Sequence, residues 1–175
     1  MFGRGAGVLA WGIVAVLSCR GLDGPRGFVA LADSADQIVY GLVHNVTTDG
    51  VLRARIEADT AFFYESTQSV ELKQLTAVFF SALGEVSSTI TAAEGTYKWQ
   101  IGDMEARINV VAVTPDGRRL TTAILSYNKI SNRLTGPEKF EFDAPDRRLT
   151  GDGFTADPDF RDIRATGISG RVKNP

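Results

Sequence analysis

Apolar and polar residues alternate along several stretches of this chain. Leu52, Ala54, Ile56 and Ala58 share one parity and Arg53, Arg55 and Glu57 the other, the pattern of a strand with one dry and one wet face. The alternation returns at Met104, Ala106, Ile108, Val110 and Ala112, and more briefly at Phe140 and Phe142. A helical period is nowhere sustained. Turn sequences separate the runs, including Thr48-Asp49-Gly50, Pro115-Asp116-Gly117 and Gly151-Asp152-Gly153, where glycine supplies positive φ without a Cβ penalty. The pattern predicts an all-β domain of hairpin-connected strands that starts near Gln37.

A weak repeat emerges when the runs are superposed on Ile56, Ile90, Leu120 and Leu149, spaced by 34, 30 and 29 residues. Seven positions after each anchor stand Phe63, Tyr97, Tyr127 and Ala156, and fourteen after stand Val70, Met104, Leu134 and Ile163. Each unit reads as strand, small-residue corner, aromatic, polar turn, strand. Such units stack as successive rungs of a coiled antiparallel sandwich. On the pattern alone, jelly roll and barrel both remain open.

The first nineteen residues have the grammar of an export signal: Arg4, an apolar stretch from Gly5 to Leu17, then small Ser18 and Cys19. Val16-Leu17-Ser18-Cys19 looks like a lipobox, which makes Cys19 the candidate site of lipidation. An uncleaved anchor is a second reading, although the apolar run is shorter than the roughly 20 residues a helix needs to span a bilayer. Cleavage after Ala30-Leu31-Ala32 is a third. Residues 20–36 carry Gly21, Gly24, Pro25, Gly27, Asp33 and Asp36 without any period, and read as a flexible tether. The organisation expected is therefore a signal, lipobox or anchor over 1–19, a tether over 20–36 and a folded domain over 37–172.

Charge and composition exclude several functions. With 19 basic and 21 acidic residues interspersed and a net charge of −2, the chain offers no basic stripe for nucleic acid. One cysteine and one histidine exclude an internal disulfide and a Cys/His zinc cluster. His44 lies in an apolar-flanked run with no nucleophile elbow anywhere, so it reads as a structural residue. Asp152, Asp157, Asp159 and Asp162 fit no calcium loop and read as turn chemistry, and no pair of carboxylates stands out for glycoside hydrolysis. The expectation is a protein that is not an enzyme and holds no metal and no cofactor.

Ala35-Asp36-Gln37-Ile38-Val39-Tyr40-Gly41, then Thr48-Asp49-Gly50-Val51 and Glu57-Ala58-Asp59-Thr60-Ala61-Phe62-Phe63-Tyr64, resemble the opening of LptC-like proteins. Leu83-Gly84 before Ile90-Thr91-Ala92, Gly95-Thr96-Tyr97, Asp116-Gly117-Arg118-Arg119-Leu120 and Leu149-Thr150-Gly151-Asp152-Gly153-Phe154 extend the resemblance to about Arg171. The related periplasmic bridge and outer-membrane assembly proteins share such repeats; the short chain and its N-terminal membrane address favour LptC. The resemblance implies an OstA-like β-jelly roll, open at its ends, at the periplasmic face of the inner membrane. There it would receive lipopolysaccharide from the ABC transporter and pass it to an LptA-like bridge without making or breaking bonds.

On this reading Leu52, Ile56, Leu72, Phe79, Ile90, Met104, Ile108, Phe140 and Phe142 are candidates for an interior lining that takes up acyl chains. Seen alone they are ordinary core residues. An open jelly roll leaves unpaired N–H and C=O groups on its terminal strands, and the resemblance supplies partners to cover them. The first strand, Gln37 to Asn45, with Ile38, Tyr40, Leu42 and His44, is assigned to the transporter's periplasmic domain. The last, Arg161 to Val172, with Ile163, Ala165 and Ile168, is assigned to the bridge. The rival reading is a structural interaction protein that uses only these edges and keeps its interior permanently packed.

Overall fold

Strands that are dry on one face need a second dry face to lie against, and this chain supplies it by folding one sheet over on itself. A computed structural model describes residues 35–172, so Arg4, Cys19, the alternative cleavage site and most of the tether lie outside the described residues. Six long strands come first: β1 (Gln37–Thr48), β2 (Val51–Tyr64), β3 (Ser69–Phe80), β4 (Val86–Lys98), β5 (Asp103–Val113) and β6 (Arg119–Asn128). Six short ones follow: β7 (Arg133–Gly136), β8 (Phe140–Asp143), β9 (Arg147–Gly151), β10 (Gly153–Ala156), β11 (Ile163–Thr166) and β12 (Ser169–Val172). All belong to one 12-stranded sheet whose described pairings are antiparallel.

A crease runs across the sheet at mid-strand. Pairing is interrupted beside Gly41, Gln74, Ile108 and Asn109, all at positive φ. Gly41 sits at φ 64, which a glycine adopts without the steric penalty a Cβ carries. Beyond β6 the crease becomes a chain break. The first half of the fold line falls between β7 and β8 at Pro137, then between β9 and β10 at Asp152, and finally between β11 and β12 at Gly167, φ 62. The expected last strand, Arg161 to Val172, is thus two strands on different layers: β11 pairs with β10, and β12 with β9.

The crease divides the sheet into two layers, and the weak repeat in the sequence marks a row of facing residues in each. In one layer Phe63, Val70, Tyr97, Met104, Tyr127, Leu134, Ala156 and Ile163 are successive cross-strand partners. In the other, Ile56, Ala77, Ile90, Ala112, Leu120, Phe142, Leu149 and Gly170 are. Large and small side chains alternate along the first part of the second row, from Ile56 to Leu120, before the large run Leu120, Phe142 and Leu149. Ring contacts join the layers: Phe79 meets Tyr127 at 4.8 Å between centroids and Phe140 meets Phe154 at 5.0 Å.

At the crease the inward-facing series is interrupted: on β3 it changes parity, and on β5 it skips one inward position and keeps its parity. On β3, Val70 and Leu72 are buried before it and Leu75, Ala77 and Phe79 after it. On β5, Met104 and Ala106 are buried, then Val110 and Ala112. Ile108, expected inside, stands on the bulge itself at φ 65 and is 50% exposed. Simple alternation carried it inward because it ignores the extra residue that a bulge inserts. On β1 the same kink puts Val39, Leu42 and Val46 against the core while Ile38 and Tyr40 point out, so the expected edge set does not share one face.

A β-branched residue in the left-handed region costs about 1–2 kcal/mol against one that tolerates it. Ile108→Asn should therefore raise the urea midpoint, corresponding to a gain of about 1 kcal/mol, whereas Val110→Asp should cost several kcal/mol by burying an unpaired carboxylate. Equilibrium urea unfolding of both variants followed by circular dichroism checks the contrast.

Candidate functional site: a cavity between the layers

Away from the crease the two layers part and enclose a cavity of about 500 Å³. Val46, Ala54, Ile56 and Phe79 line it from one layer, and Tyr97, Met104 and Tyr127 from the other. Its rim is built from turns: Ser81 and Ala82 after β3, Gly102 before β5, Lys129 and Asn132 between β6 and β7, and Asp157, Pro158 and Asp159 between β10 and β11. Small Ala54 leaves room where a larger side chain would fill it. The lining is apolar with polar groups at the mouth, and a volume of this size lies within the usual range of ligand pockets.

Two tyrosines bring polar atoms into this wall. Tyr127 donates its hydroxyl to Asn132 Oδ1 at 3.0 Å, and burial, followed by the charge of Asp103, pushes its pKa up. Burial likewise raises Tyr97, whose ring lies 5.3 Å from that of His44. Both phenols stay neutral at physiological pH and present a ring to the cavity. His44 is an exposed edge residue whose ring lies tilted against the cavity-lining ring of Tyr97. Arg53 and Lys129 add cationic groups to the lining, while Asp157 and Asp159 add acidic ones.

Of the nine residues expected to line the interior, Ile56, Phe79 and Met104 border the cavity. Leu72, Ile90, Phe140 and Phe142 are buried in the packed core, Leu52 is half-buried at the end of β2, and Ile108 faces solvent. Tyr97, Tyr127 and Val46 were missed as lining residues although the repeat had marked both tyrosines as equivalent. The interior is therefore asymmetric. Its N-terminal part holds the cavity, and its C-terminal part is filled by Phe140, Phe142, Phe154 and Phe160, with the rings of Phe154 and Phe140 lying where a Cβ on Gly136 or Gly151 would be.

A family profile described as lipopolysaccharide-assembly, LptC-related, matches residues 30–164. The chain belongs to this family. It is also similar in structure to the crystal structure of LptH from Pseudomonas aeruginosa, described as the LptA-homologous periplasmic component of the conserved lipopolysaccharide transport device. That match has a TM-score of 0.56 at 11% identity and covers 69% of this chain and 95% of LptH. At that identity the likeness speaks for the fold, a β-jelly roll. No curated protein sequence matches. In this LptC-family chain, no three His, Cys, Asp or Glu side chains come together to hold a metal among the described residues, and no described helix is long and apolar enough to cross a membrane.

The turn between β5 and β6 closes the same side of the sandwich as the cavity rim. Arg118 and then Thr114 hydrogen-bond Asp116 and hold its carboxyl well below the usual carboxylate range. A folded-state pKa below the unfolded one stabilises above the unfolded pKa, and that contribution is lost as pH falls through the folded one. Asp116→Asn should thus lower stability at neutral pH, and the gap to the unsubstituted protein should narrow steadily as pH falls from about 5 to about 2. Urea midpoints across that range check it; a gap independent of pH would mean that the charge of Asp116 is irrelevant.

Proposed function

We propose that this protein is a non-enzymatic carrier that shields acyl chains of lipopolysaccharide as they leave the inner membrane. The observation that carries the reading is the apolar cavity between the layers of an LptC-family jelly roll, lined by Ile56, Phe79, Tyr97, Met104 and Tyr127. Exposing an acyl chain to water costs about 0.8 kcal/mol per CH₂, so a glycolipid crosses an aqueous compartment only along an apolar lining. In this reading the N-terminus, by lipidation at Cys19 or as an uncleaved anchor, holds the domain at the periplasmic face of the inner membrane. β1 takes the periplasmic domain of the ABC transporter, and the β11/β12 edge takes the bridge protein.

Both edges support strand addition. β1 and the pair β11 and β12 terminate the order in each layer, and such edges invite another chain unless covered. Tyr40 and Val43 are 77% and 62% exposed on β1, and Ile168 is 56% exposed between β11 and β12. These are large apolar groups for a surface facing only water. The rival reading, an adaptor that works by its edges alone, draws support from the packed C-terminal interior.

A photoreactive residue at Ile56 should crosslink to lipopolysaccharide in cells that make it, while one at Arg55, the next residue on the opposite face, should not. Mass spectrometry of the adducts reads the result. Equal labelling at both positions, or none at either, favours the edge-only adaptor.

Truncation before Arg161 removes β11 and β12. It should abolish bridge binding in a pull-down while leaving binding to the transporter intact, provided circular dichroism shows that the sheet persists. Retention of the bridge by the folded, truncated protein would reverse the polarity proposed for the edges.

A further inference from the structure

The cavity stops partway along the sandwich, and what stops it is the loop between β10 and β11. Asp157, Pro158 and Asp159 of this loop line the cavity, and the next residue, Phe160, is buried in the core at 3% exposure. β10 and β11 lie at the C-terminal end of the strand order, so the loop stands between the cavity and the edge at which the slot ends. Alongside it, on β8 and β10, the interior is filled by Phe140, Phe142 and Phe154, with β9, β11 and β12 next in the strand order.

The loop is held together by its own hydrogen bonds. Asp157 Oδ1 accepts from the N–H of Arg161 at 3.0 Å and of Asp162 at 3.1 Å, and Phe160 N–H donates to the Asp157 carbonyl at 3.0 Å. Phe160 holds φ 54, a region that a bulky residue enters only when its surroundings impose it. The tie to the opposite layer comes from the β5–β6 turn. Arg118 Nη1 donates to the Phe160 carbonyl at 2.7 Å, across 42 residues of sequence. Asp116 braces the guanidinium through Nε and Nη2, and Thr114, itself buried, fixes Asp116 and the turn.

These observations describe a plug, Phe160, on a preformed loop, fastened by a braced cation and seated in a strained backbone conformation. We propose that the β10–β11 loop is a gate between the cavity and the C-terminal half of the slot, with Phe160 as its plug and Arg118 as its latch. The inference rests on the lipid-carrier reading and adds a control point to it: a chain held at Ile56 advances toward the C-terminal edge when the latch lets go. Phe160 must then leave the core, and the strain relieved at its backbone offsets part of the lost burial.

Two measurements on the full chain separate this inference from the reading on which it rests. The first needs no lipid: Arg118→Ala should speed amide hydrogen exchange at Phe160, Arg161 and Asp162 by about tenfold, in keeping with loss of one charge-assisted hydrogen bond, and leave β4 unchanged. Unchanged exchange in the loop overturns the latch whatever the protein carries. The second uses purified lipopolysaccharide and a photoreactive residue at Ile56 or Leu149. With Arg118 present, Ile56 should label and Leu149 only weakly; Arg118→Ala should raise labelling at Leu149 about tenfold with Ile56 unchanged. Phe160→Ala, which removes the plug but keeps the latch, should do the same and serves if Arg118→Ala misfolds. Equal labelling at Ile56 and Leu149 with Arg118 present overturns the gate and leaves the carrier standing. Faster loop exchange with no labelling anywhere overturns the carrier and leaves the latch as a purely structural clasp.

Discussion

Everything in this protein depends on how a one-faced sheet hides its dry side. A flat antiparallel sheet with alternating residues would leave the face of Ile56, Ala77, Ile90 and Leu120 in water, and at about 25 cal/mol per Å² that exposure is more than a small domain can carry. No helix is available among the described residues to cover it. Bending each strand at mid-length solves the problem with the sheet's own residues, since each strand contributes to both layers. The bend demands positive φ at Gly41, Gln74, Ile108 and Asn109, and two of these four, Gln74 and Ile108, have a side chain that disfavours it. Local strain along the crease is the condition for burial everywhere else. A cross-strand ion pair, Lys73 with Glu94 at 2.6 Å, flanks the kink at Gln74 on the outer face. At its level of exposure the pair contributes little energy.

A sheet folded this way has properties that a closed barrel lacks. Its strands run from one layer to the other, so the side opposite the crease is a seam between turns and its two lateral ends are unpaired edges. The seam can part or close over an apolar interior, and the edges can be extended by another chain. A cavity on one stretch of the seam and a polar clasp on another are therefore two states of the same construction. Their residues differ accordingly: alanines and tyrosines border the open part, and phenylalanines packed over glycines fill the closed part.

Much of this was legible in the sequence, for a definite reason. The period of two fixed the strand faces, and the superposition on Ile56, Ile90, Leu120 and Leu149 held because those residues occupy one cross-strand row, while their partners seven and fourteen positions on occupy another. A row of that kind leaves an arithmetic trace because successive hairpins have nearly equal arms. The crease leaves no such trace. Gln74, Ile108 and Asn109 carry no glycine to announce positive φ, so strict alternation ran through Ile108 and set it inside, and it merged β11 and β12 into one strand although Gly167 stood between them. The cavity was less legible still. Ile56, Phe79 and Met104 border it while Leu72 and Ile90 do not, and all five obey the same pattern. Whether an inward residue meets a void or a neighbour depends on what the opposite layer brings to it, which is a relation between residues far apart in the chain.

The two rows also fix what a strand-adding partner would meet. At the N-terminal edge the first row ends on Gln37, opposite Phe63, and the second on His44, opposite Ile56. Both are polar, and His44 also covers the cavity-lining ring of Tyr97. The apolar rows thus reach the outermost strand and are capped there by groups that water tolerates. At the other edge the rows end on Ile163 and Gly170, an apolar side chain and none at all. A glycine there places no side chain between the row and the next strand, so an incoming chain can bring its own large residue beside Leu149. An edge that ends on a gap accepts a strand more readily than one that ends on a cap, and the two edges of this sheet differ in that respect before any second chain is present.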